Sequence, residues 1–158
     1  LDKRVASMLA ESGAICVPTL VVTDSISLYR EQGAQEFALK KLEMAREYHR
    51  RSFEYVVNAG GRFAVGSDLP SAKVNGVIAT VREMQIMVEL GAHPMTVIKG
   101  ATALPSELCG LKDVVGTLKQ DHVADLLVVE GCPCQDMKVL EKPMAIMKDG
   151  QWIKNILD

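Results

Sequence analysis

The stretch Arg62-Phe63-Ala64-Val65-Gly66-Ser67-Asp68 decides how this chain is read. Its apolar residues 63–65 form a short buried strand that runs directly into a polar tip at Asp68. A second run, Ala14-Ile15-Cys16-Val17-Pro18-Thr19-Leu20-Val21-Val22, is continuously apolar and rich in β-branched residues, as expected of a parallel strand covered on both faces. Pro18 has no N–H and marks where its ladder hydrogen bonding stops. Residues 34–57 lie between the two and repeat at helical spacing, with Leu42, Ala45, His49, Phe53 and Val56 on one stripe. Strand, helix, strand in that order implies a parallel sheet with helical crossovers.

The flanks extend the alternation. Val5, Leu9 and Ala10 recur at helical spacing over residues 1–12, with Gly13 as the stop. Asp24, Ser25 and Ser27 are expected in a polar loop. Residues 74–90 predict an amphipathic helix that turns Val74, Val77, Ile78, Val81, Met84 and Val88 inward. Pro94 suits the first position of a further helix ending near Ala103, because its fixed φ is already helical there. After Gly110 the texture becomes strand-like, at residues 114–118, 125–129, 144–148 and 152–156. Asp149-Gly150 between the last two is a two-residue hairpin signal, since a type I′ turn needs positive φ at both positions. Two parallel strands do not make a stable sheet alone, so the remainder of the sheet is expected from elsewhere.

Composition limits the possibilities. A chain of 158 residues is one ordinary domain, long enough to bury roughly 70% of its unfolded surface. Hydrophobic residues make up 48% and charged residues 24%, as in globular proteins. With 18 Lys and Arg against 20 Asp and Glu there is no basic stripe to follow a phosphate backbone, which argues against a nucleic-acid partner. The run 14–22 falls well short of the roughly 20 apolar residues that span a bilayer, and no signal-like segment precedes it, so a soluble, cytoplasmic protein is expected. The cysteines read as free and structural: Cys16 and Cys109 in apolar surroundings, and Cys132 and Cys134 in a spacing that matches no zinc ribbon. Met84, Met87, Met95, Met144 and Met147 read as core, and Trp152 as packing of the last hairpin.

Asp68 is the principal candidate for chemistry. A carboxylate at the carboxyl end of an apolar strand occupies the place where open α/β sheets and barrels put functional side chains. It can ligate a metal or act as a base toward metal-bound water. A turn or helix-capping aspartate is the plainer reading of Gly66-Ser67-Asp68 taken alone. His49 sits on the apolar stripe of the long helix and reads as a satisfied core or groove histidine, His93 as a solvated residue before Pro94. No histidine pair at i, i+2 or i, i+4 exists to seed a metal site. Thr19, Thr23 and Asp24 follow the first strand and are candidates to line a substrate pocket, against a structural loop role.

Taken in order, the blocks resemble the carboxyl-terminal part of the amidohydrolase superfamily, specifically its imidazolonepropionase-like and prolidase-like members. Val17-Pro18-Thr19-Leu20 is similar to the family's penultimate barrel strand, and Val65-Gly66-Ser67-Asp68 to the G-[ST]-D at the end of the last one. Gly100-Ala101-Thr102 and Pro105-Ser106-Glu107-Leu108, then Gly110-Leu111, resemble the helix A-T-x-x-P-A-x-x-L-G. Gly116-Thr117-Leu118, Ala124-Asp125-Leu126-Leu127-Val128-Val129 and Gly131-Cys132-Pro133 resemble the return into a small β-sandwich. His122 departs from that pattern, lying where the family usually has a glycine-containing turn. Each block is weak alone; their common order and spacing are not.

The resemblance implies an α/β architecture: residues 1–109 as the last strands and helices of a (β/α)8 TIM-type barrel, and residues 110–158 as strands of a small composite β-sandwich. It implies a metal-dependent amidohydrolase in which metal-activated water cleaves a C–N bond. The substrate would be a dipeptide, an N-acyl amino acid or a cyclic amide, and the cofactor a divalent metal, zinc. Asp68 is the one family ligand that carries over. The resemblance makes it both a metal ligand and the catalytic carrier of the water's proton to the leaving nitrogen. Ser67 would orient it and Leu69 narrow the pocket, near Pro70 and Ser71. His49, His93 and His122 match no family ligand, so this chain alone would lack most of the metal site and possess a metal only when completed. The start at Leu1 adds to an expected fragment that pairs with the missing amino-terminal part or with another copy. The other reading is a non-catalytic α/β fragment or binding module that needs a partner chain.

Overall fold

In the computed structural model, residues 1–69 and 76–156 are described. Pro70, Ser71 and Val74 lie outside the described residues. Helix α1 (Lys3–Ser12) starts where the Asp2 carboxylate accepts the Val5 N–H at 2.9 Å, and it stops at Gly13 with φ 70°. The side chain thus satisfies a free donor at one end, and a left-handed residue closes the other. Strand β1 (Ile15–Cys16) pairs in parallel with β2 (Arg62–Phe63), Ile15 opposite Arg62 and Cys16 opposite Phe63. The pairing continues for one bond beyond the strands, from the Ala64 N–H to the Cys16 carbonyl at 2.8 Å.

The apolar run 14–22 is therefore not one strand. It breaks at Pro18 and Thr19, and Leu20 begins a one-turn helix, α2 (Leu20–Asp24). The expected polar loop is helical too, as α2 passes through Ser25 into α3 (Ile26–Glu31). The cause is tertiary. Leu20 and Val21 are almost fully buried, and their N–H groups are taken by a side chain from a helix more than sixty residues away. A continuous apolar run does not by itself distinguish a buried strand from a buried helical turn.

The long helix α4 (Glu36–Asn58) crosses the outside of the pair. Phe53 and Val56 are buried as the stripe requires, whereas Ala45 is exposed. Phe53 meets Phe63 edge to face, centroids 5.1 Å apart at 76°, joining α4 to β2 with a favourable aromatic geometry. Helix α5 (Gly76–Glu89) buries Val81 and Met84 but leaves Val77 and Ile78 half exposed, contrary to the expected inward stripe. Its buried face runs instead through Ala79, Glu83, Ile86 and Met87. Helix α6 (Pro94–Ala101) opens with His93, whose Nδ1 accepts the Met95 N–H, and α7 (Ala103–Leu108) follows.

Two glycines permit close approach of backbone to backbone. The Gly100 carbonyl accepts the Val65 N–H at 2.8 Å, and a Cβ on Gly100 would stand 2.9 Å from the Phe63 carbonyl oxygen. Helix α6 thus rests directly on the continuation of β2. Gly116, at φ +87°, faces the Thr102 carbonyl at a distance where a Cβ would lie 2.6 Å away. That packing also explains why residues 114–118 are a succession of turns, not a strand: the Val115 N–H folds back to Leu111, and Gly116 is pressed against the start of α7.

Beyond it, β3 (Leu126–Val128), β4 (Ala145–Lys148) and β5 (Gln151–Asn155) form an antiparallel sheet in the order β3-β4-β5. Asp149 and Gly150, at φ 51° and 75°, make the expected hairpin. A 3-10 turn, Met137–Glu141, packs its buried Met137 against α5 and had no periodic signal to betray it. β5 is exposed along its whole length, with Trp152 at 48% and Ile153 at 68%. Trp152 is about half exposed and is not buried as the packing of the last hairpin would require. Cys109 and Met95 are exposed rather than core, the first just past the end of α7 and the second in the first turn of α6. The cysteines are free. No helix of the described residues is long and apolar enough to cross a membrane.

Candidate active site

Because β1 and β2 run in parallel, their carboxyl ends open on the same side, and the residues leaving them share one face. Thr19 leaves β1 and Asp68 leaves β2. Both have positive φ, 54° and 44°, uncommon for residues with side chains and rarest for a β-branched one. Asp68 is exposed, while Ser67 is half-buried and shows no hydrogen bond to it among the described residues. Leu69 turns back against the hydrophobic core, so it supports the tip from beneath. Tyr29 of α3 also belongs here: burial, then the negative charge of Asp68, push its phenol above the ordinary value. Nothing in the spacing of Tyr29 gave it away, since only the folding of α3 over the strand ends brings it close.

Beneath this face lies a polar assembly. Thr23 is buried; its hydroxyl donates to the Leu20 carbonyl at 3.1 Å and lies 3.0 Å from Nδ1 of His49. Nε2 of His49 is 2.6 Å from the Pro18 carbonyl, to which it must be the donor. His49 is thus the satisfied groove histidine expected, and Thr23 faces it rather than open solvent. Asp24, at the end of α2, receives Arg46 at 2.8 Å, Arg82 at 2.9 Å and Arg50 at 3.3 Å. Burial alone would raise its pKa; the hydrogen bonds and charges of Arg82 and Arg46 outweigh this and hold it below the usual value. Arg50 and Arg82 also reach Glu89, so α2, α4 and α5 are joined by one ion network.

The residue sequence reasoning missed is Glu83. It is fully buried, and its two carboxylate oxygens accept the Leu20 N–H at 2.8 Å and the Val21 N–H at 2.6 Å. Burial pushes its pKa up to about 7 against the lowering effect of those two bonds, with the nearby Asp24 charge adding to the rise. The signal was present: Glu83 stands four residues after Ala79 and three and four before Ile86 and Met87, all buried, so a carboxylate occupies the middle of an apolar stripe.

Asp68 is suited to one place in a metal site, as an exposed carboxylate at a strand end. No cluster of three His, Cys, Asp or Glu side chains able to hold a metal exists among the described residues. His93 caps α6, and His122 lies 3.0 Å from the Thr117 hydroxyl; neither is drawn to Asp68. The donors present do not by themselves constitute a metal centre. A groove of about 670 Å³ lies elsewhere, between α5, α6 and the antiparallel sheet, lined by Val77, Met84, Ile98, Leu127 and Ile146 among others.

The chain is 27% identical over 147 residues to ochratoxinase from Aspergillus niger, an alignment that spans 92% of this chain and 30% of that protein. Among solved structures, an amidohydrolase is 30% identical with a TM-score of 0.85, over all of this chain and 38% of its own length. A prolidase solved with N-methylphosphonate-L-proline is 25% identical, TM-score 0.84, over 98% of this chain and 38% of its own. This chain therefore spans about a third of the length of the relatives it matches. The family model described as the amidohydrolase family matches residues 1–157, and with the mixed α/β fold and the strand ends already described, the chain belongs to the amidohydrolase family.

Proposed function

We propose that the protein is a metal-dependent amidohydrolase that cleaves a C–N bond in a dipeptide, an N-acyl amino acid or a cyclic amide. Residues 1–109 would form the last strands and helices of a (β/α)8 barrel, and residues 110–158 strands of a composite β-sandwich. The observation that carries the reading is the position of Asp68: it leaves the carboxyl end of β2 on the same side as Thr19 leaves β1, on an exposed tip held up by Leu69. A divalent cation, zinc by this reading, would supply an activated water at neutral pH. Asp68 would be one of its ligands and would hold the proton destined for the leaving nitrogen, with the other ligands contributed from outside this chain. Thr19 and Tyr29 would face the substrate, and Ser67 would set the orientation of the tip. Membership of the amidohydrolase family favours this reading over that of a non-catalytic binding module.

The test is Asp68→Asn in the full-length protein, with metal content measured by elemental analysis and hydrolysis measured over a panel of Xaa-Pro dipeptides and N-acyl amino acids. We expect a loss of at least 10²-fold in kcat, the scale on which single proton-transfer groups act, and a fall in bound metal. An Asn variant that keeps full activity and full metal content would overturn the assignment of Asp68.

A further inference from the structure

We propose that Glu83 and His49 are positioning residues that hold Thr19 in its left-handed conformation, so that Thr19 meets the substrate; this rests on the hydrolase reading above. The backbone of Thr19 is strained. Thr19 is β-branched, yet its backbone sits at φ 54°, ψ 43°, a conformation that glycine adopts freely and threonine resists. Such outliers persist only where the surroundings over-determine them, and they gather at functional sites.

Here the surroundings grip both sides of the residue. On one side the Pro18 carbonyl is held by Nε2 of His49 at 2.6 Å. On the other, Glu83 holds the N–H groups of Leu20 and Val21 with one oxygen each, at 2.8 and 2.6 Å. Thr23 packs against both, its hydroxyl 3.1 Å from the Leu20 carbonyl and 3.0 Å from Nδ1 of His49, with one proton to give to either. A buried carboxylate is a costly device for capping a single helical turn, since its burial opposes ionisation. An apolar side chain at residue 83 would suit the stripe better if covering the core were the only requirement. What Glu83 adds is two acceptors at fixed spacing, which dictate where the chain turns after Thr19. The Thr19 hydroxyl itself makes no capping bond to the helix that follows, and the residue is only half-buried at the mouth. Helix α5, which carries Glu83, follows Asp68 in the chain, so one element ties the turn after β1 to the segment after β2.

The experiment is a double-mutant cycle in the full-length protein, using whichever dipeptide or N-acyl amino acid of the panel the wild type hydrolyses. Thr19→Gly removes the side chain and relieves the strain; Glu83→Gln keeps the shape but replaces one acceptor with a donor. We expect Thr19→Gly to raise KM about tenfold with kcat within threefold. Glu83→Gln should raise KM similarly in the wild-type background and less than twofold on top of Thr19→Gly, because its effect passes through residue 19. Amide hydrogen exchange should show Leu20 or Val21 exchanging at least tenfold faster in Glu83→Gln, with Ala64 and Val65 unchanged. Should Glu83→Gln not fold, His49→Gln replaces it in the cycle with the same expected pattern. Equal KM effects in both backgrounds, an unchanged KM in either single variant, or unaltered exchange at both amides would each overturn the proposal. A wild type that hydrolyses nothing in the panel would instead refute the hydrolase reading on which it rests.

Discussion

Glu83 makes stability depend on pH in an unusual direction. Its folded pKa is raised from the ordinary 4.5 to about 7, so between those values the folded state binds a proton that the unfolded state releases. Stability therefore falls as pH rises through this window, and is level above it. At 1.36 kcal/mol per unit the full span is about 3 kcal/mol, most of it between pH 5 and 8. Glu83→Gln abolishes the titration while leaving a side chain of the same shape. Urea unfolding of both proteins at half-unit steps from pH 5 to 8, with m checked for constancy, isolates the carboxylate: the wild type should lose about 2 to 3 kcal/mol that the variant keeps. Asp24 does not confound this, since its lowered pKa confines its own titration to more acidic solution. A difference between the two proteins that stays constant within about 0.5 kcal/mol across the range would refute the burial argument, because a carboxylate in an ordinary environment is already ionised at pH 6.

Asp24→Asn should cost about 2 to 3 kcal/mol at pH 7, the scale of hydrogen bonds to charged groups, and the deficit should shrink as pH falls below 4 because the wild-type carboxyl then loses the same advantage. Gly116→Ala combines a strained φ of +87° with a Cβ 2.6 Å from the Thr102 carbonyl, and is expected to destabilise by about 2 to 4 kcal/mol in thermal unfolding; a Tm unchanged within a degree would show that the turn yields freely. Phe53→Ala empties the contact between α4 and β2 and should cost about 3 to 5 kcal/mol by denaturant titration, a value below 1 meaning that the neighbouring side chains collapse into the space.

Much of this protein is written in local pattern. The parallel alternation of short strands and long helices, the extent of α4 and the Asp149-Gly150 hairpin all follow from periodicity and turn chemistry, which act between residues close in the chain. So does the placement of Asp68 beyond β2, because a short apolar run ending in polar residues has one obvious place to end. What local pattern misread was decided by partners distant in sequence. Residues 20–22 are apolar enough to be a strand and become part of a helical turn because Glu83 takes two N–H groups that a strand would have given to its neighbour. Residues 114–118 become turns because Gly116 must fit against the Thr102 carbonyl. The closeness of Tyr29 to Asp68, and the grip on Thr19 from both sides, exist only once α3, α4 and α5 have packed on the strand ends. Hydrophobic spacing tells which face of an element is buried; it carries no record of which polar groups will meet there, since that depends on how the elements cross.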